Sequence, residues 1–78
     1  MIPPKSDPRW TKLVTGNEQY ALTGLAARMM LTRVRLMAAR RDQRALQEAI
    51  DVAYEYFTNN VEAAREDIRA LFGEDGDV

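Results

Sequence analysis

Seventy-eight residues leave room for one small folding unit with a modest core, and 46% hydrophobic against 29% charged residues is the make-up of a folded, helix-compatible chain rather than a disordered one. The absence of Cys and His excludes disulfides, thiol nucleophiles, imidazole bases, Ser-His-Asp triads and zinc sites built on those ligands. A net charge of −1 hides a segregation: residues 28–44 carry six Arg against Asp42 alone, whereas residues 45–78 carry nine acids against two Arg.

Residues 1–7, with Pro3 and Pro4 adjacent, cannot form a helix interior and read as an extended N-terminal arm. Asp7 is then an N-cap followed by Pro8 at the first helical position, where a missing N–H costs nothing. A short helix is predicted over 8–15, carrying Trp10, Leu13 and Val14. Gly16 is expected to end it in the left-handed conformation, with Asn17 capping the next element.

From Glu18 to Phe72 the sequence has no Pro and a single Gly, Gly24, so breakers alone would permit one very long helix. Periodicity argues otherwise. With Leu22 at zero, the apolar positions from Leu22 to Met37 centre at about 60°, and those from Leu46 to Phe72 at about 250°. One straight rod would point these faces in opposite directions, so the chain is predicted to reverse near residues 40–43 with Asp42 as the new N-cap. Helices are therefore predicted over 17–41 and 43–72, joined as a long antiparallel hairpin. Gly73 is a natural C′ residue. The expected organisation is an arm over 1–7, a single all-α domain over 8–73 and an acidic tail over 74–78.

The two long helices differ in their faces. The second has one apolar stripe with Glu48, Asp51, Glu55, Glu62 and Glu66 on the far side, a solvated outer face. The first is apolar around most of its circumference, and such a helix needs more than one neighbour. One partner helix and the short Trp10 segment do not suffice, and a two-helix core of this size is marginal alone. A homodimer packing into a four-helix bundle solves both problems. Leu22, Leu25, Met29, Met30, Val34, Leu36 and Met37 are the expected dimer or partner interface. Trp10, Tyr20, Tyr54, Tyr56 and Phe57 are candidates for an aromatic cluster where the short helix folds back, and Tyr56 with Val52 widens the surface open to a partner.

Arg33 falls within the apolar arc of the first long helix, where a charge needs a partner or a ligand. Its ordinary role there is a salt bridge or a snorkelling stem; its sharper role is anion binding, with Arg40 two turns on. Arg28, Arg35, Arg41 and Arg44 offer a basic set for RNA or DNA. Against that reading, no aromatic residue lies between Ala21 and Tyr54 to stack on bases, and cations at a helix C-terminus complement its dipole in any case. No His is present to complete a di-iron site with the acids of the outer helix. No basic stretch leads into an apolar run, and the longest uncharged run, residues 19–27, is nine residues against the ~20 that span a bilayer.

The expectation is thus a small non-catalytic helical interaction or regulatory protein. It acts as a cytoplasmic homodimer that binds another protein, without cofactor, metal or membrane. The alternatives are a nucleic-acid-binding dimer using the arginine cluster, or a small helical-bundle enzyme or anion-binding protein using Arg33.

Overall fold

The structure is a computed structural model that describes residues 2–73; the acidic tail expected over 74–78 lies outside the described residues. Among those residues it is all-helical, with α1 (Pro8–Thr15), α2 (Leu25–Ala38), α3 (Gln43–Asn59) and α4 (Arg65–Phe72). Two of the starts follow from local chemistry. Asp7 accepts the Arg9 N–H at 2.9 Å with Pro8 inside the first turn of α1, and Asp42 accepts the Ala45 N–H at 2.7 Å to open α3.

Three expectations are corrected. The helix expected over 17–41 is limited to Leu25–Ala38. Residues 17–24 carry no regular structure, and Gly24 is the N-cap of α2 in an extended conformation. Glycine weakens a helix at that point, and a remote carboxylate completes the start. Asp67, from α4, accepts the Thr23 N–H at 2.7 Å, the Thr23 hydroxyl at 3.2 Å and the Gly24 N–H at 3.4 Å. The helix expected over 43–72 is broken at residues 60–64. The Asn60 side chain donates to the Tyr56 carbonyl at 2.8 Å, a local bond that competes with helix continuation. Gly16, finally, is extended (φ −81°, ψ 171°) rather than left-handed. Its N–H donates to the Lys12 carbonyl, and a Cβ placed there would lie 2.6 Å from that oxygen, so the position requires glycine for close approach.

The two breaks serve the core. With residues 60–64 turning the chain, α4 returns to α1, and Phe72 packs on Trp10 at 4.8 Å between ring centroids. Tyr54 and Phe57 from α3 meet the same indole at 5.6 and 6.3 Å. Trp10 is fully buried, and its Nε1–H donates to the Pro3 carbonyl at 3.0 Å, which fastens the N-terminal arm to the core. The expected aromatic cluster therefore gains Phe72, while Tyr20 lies elsewhere, beneath the Arg35 guanidinium. α2 packs along α3 and α1 through Ala27, Met30, Leu31, Val34 and Ala38.

Candidate interaction surface

On α2 the buried stripe has an apolar counterpart on the opposite side. Leu25, Met29 and Leu36 recur at helical spacing and are 65%, 63% and 69% exposed. With Arg28, Thr32 and Arg33 they line a shallow depression of ≈470 Å³. Met29 and Arg33 also line a groove of ≈680 Å³ between α2 and α3, whose other wall is built from Val52, Glu55 and Tyr56. The two depressions thus form one surface: an apolar floor of Leu25, Met29, Leu36, Val52 and Tyr56, with the exposed Arg28 and Arg33 on the α2 side and the exposed Glu55 on the α3 side. Scattered apolar residues on a surface are ordinary; three large ones in register beside an apolar groove are a patch.

The residues expected at an interface divide. Leu25, Met29 and Leu36 lie on this surface. Leu22, Met30 and Val34 are buried in the chain's own core, and Met37 is partly buried against it. The expectation underestimated how much of α2 the chain covers by itself. Residues 17–24, read as more helix, instead place Leu22 in the core, and α1 and α3 together take the side centred on Val34.

The arginines are dispersed. Arg33, expected inside the apolar arc and in need of a counter-charge, is exposed between the two depressions, both of which it lines, and its guanidinium stays in water. Arg40 lies at the other end of α2, in a small notch with Asp42, Arg44 and Glu48, so Arg33 and Arg40 line different depressions. Arg44 pairs with Glu48 at 3.3 Å one turn along α3. Arg35 leaves the basic set altogether: its Nε donates to the Leu13 carbonyl at 3.0 Å and its guanidinium sits 5.8 Å from the Tyr20 ring centre. Arg28 and Arg41 are exposed. Glu48, Glu55, Glu62 and Glu66 are likewise exposed. Among the described residues no three acids converge as a metal site would require, and no helix is long and apolar enough to cross a membrane.

Two features escaped the sequence reading. Asp67 lies within the apolar stripe of α4, between Ala64 and Ile68, and is 3% exposed; an acid at such a position was the available sign of a capping role. Arg35, read as one of a basic set, is instead half-buried against the Leu13 carbonyl of α1 and the Tyr20 ring, a packing hidden by reading residues 17–24 as helix. No family model, curated protein or solved structure matches the chain.

Proposed function

We propose that the protein is a non-catalytic helical interaction module that acts as a homodimer, with the α2 face of one copy covered by a second copy. In this arrangement α2 and α3 form an antiparallel hairpin, and two hairpins make a four-helix bundle. The observation that carries the reading is the exposed run of Leu25, Met29 and Leu36 beside the α2–α3 groove. Covering it removes three large apolar side chains from water, a gain of about 1.5–3 kcal/mol for each one fully buried.

Charge argues for a second copy as the occupant. The α2–α3 groove has Arg33 on its α2 wall and Glu55 on its α3 wall. A twofold axis running along the floor lays α2 of one copy over α3 of its mate and brings Arg33 against the partner's Glu55, twice per dimer. An isologous interface of this kind complements itself without any further element.

The charge pair supplies the test. Arg33→Glu or Glu55→Arg alone places like charges across the axis and is expected to shift the mass measured by light scattering toward one chain. Arg33→Glu combined with Glu55→Arg restores opposite charges and the dimer mass. If both single variants keep the dimer mass, the pairing is wrong; if the unaltered chain runs as a monomer and a different protein covers Met29, the occupant is heterologous.

A further inference from the structure

A second cleft, of ≈570 Å³, opens where the C-terminal ends of α1 and α2 meet the loop that follows α1. Its walls are Val14 to Asn17, Gln19, Arg35, Ala38, Ala39 and Arg41, and none of them is acidic. It shares no residue with the α2–α3 groove. The size is within the range of small-molecule sites.

We propose that this cleft binds a small organic oxyanion, a phosphate or carboxylate, through Arg35 and Arg41. Three observations converge on it. The Arg35 guanidinium is held in place from two sides, by its Nε–H bond to the Leu13 carbonyl at 3.0 Å and by the Tyr20 ring at 5.8 Å. Its Nη2 is nevertheless buried with no hydrogen-bond partner among the described residues. A guanidinium nitrogen that has given up water without gaining an acceptor is costly, and an oxyanion is the acceptor that matches its planar fork. Arg41 is the one non-glycine described residue with positive φ, at 62°. A bulky residue in that conformation is strained, and here the strain puts a second cation on the cleft wall.

A purely structural account covers less. Cations near helix C-termini complement the helix dipole, and the Arg35 bond to the α1 carbonyl does so. That explains Nε; it leaves Nη2 unpaired and gives no reason for an arginine rather than glycine or asparagine at position 41. Nη2 is covered by the protein's own atoms, so an anion in the cleft reaches it when the Arg35 side chain or the neighbouring loop shifts to uncover it. The Asn17 and Gln19 side-chain amides add neutral donors around the same space, and Val14, Ala38 and Ala39 give it an apolar part. The anion site considered from the sequence, Arg33 with Arg40, is thereby moved to Arg35 with Arg41.

The test is an NMR titration of the full chain at low ionic strength with three probes: inorganic phosphate, phenyl phosphate and benzoate. Saturable shifts confined to the amides of residues 14–19 and 38–41 and to the Arg35 Nε–H are expected from at least one probe in the millimolar range. The stronger of phenyl phosphate and benzoate identifies the anion class. Arg41→Gln is expected to weaken that binding by about tenfold. Arg41→Gly is expected to weaken it equally while raising the melting temperature, because it relieves the positive φ. No saturable shift with any of the three probes overturns the proposal, and so does undiminished binding in Arg41→Gln with an otherwise unchanged amide spectrum. Arg35→Gln tests the same group, but it also removes the bond to Leu13, so the Arg41 variants decide.

Discussion

Asp67 does the work that a local cap does elsewhere. α2 begins after Gly24, which has no side chain to offer, and the carboxylate that accepts the Thr23 and Gly24 N–H groups comes from a helix 43 residues further on. Asp67→Ala leaves those donors unsatisfied beside the core, and a loss of about 1–3 kcal/mol is expected in urea denaturation. Asp7 caps α1 in the ordinary way, and the charge it carries makes the cap pH-dependent. The hydrogen bond from the Arg9 side chain, then that from the Arg9 N–H, holds its carboxyl below the usual value of 3.8. The folded chain therefore binds fewer protons than the unfolded one as pH falls toward that value. The stabilisation is fully present above pH 3.8 and is lost as pH drops through the folded value. Asp7→Asn is expected to melt below the unaltered chain at neutral pH, with the gap narrowing in acid; a gap that stays constant would mean that the Asp7 charge plays no part.

At the scale of elements, what was legible in the sequence was what nearest neighbours determine. The Asp7-Pro8 pair marked α1, and Asp42, set between two apolar stripes on opposite faces, marked the junction before α3. What was not legible depends on distant contacts. Residues 17–24 hold no Pro and no breaker besides Gly24, yet the chain there trades helical bonds for burial of Leu22 and for the Asp67 cap. The break at residues 60–64 follows the same rule, since only α4 turned back onto α1 can place Phe72 on Trp10. The candidate patch was half legible for a related reason: periodicity located the apolar sides of α2 but could not say which of them the chain's own loop would fill. Arg41 sits where α2 stops, in a conformation that glycine adopts without strain, and Arg41→Gly is expected to gain about 1 kcal/mol.

The whole molecule is organised around Trp10, which joins the N-terminal arm, α3 and α4 in one aromatic cluster. Trp10→Ala is expected to cost about 3–5 kcal/mol, a large share of the ~5–10 kcal/mol available to a domain of this size, and to leave a largely unfolded chain by circular dichroism. Changes on the exposed side of α2 should behave differently. Met29 and Leu36 contribute little to the fold of one chain, so Met29→Glu and Leu36→Glu are expected to keep the helical spectrum while losing association. That contrast separates a core residue from an interface residue on one element. It also leads to the direct measurement of the central claim, sedimentation equilibrium of the unaltered chain at micromolar concentration beside Met29→Glu. A dimer mass for the first and a folded single-chain mass for the second is the expected result; a folded single-chain mass for both would contradict the account.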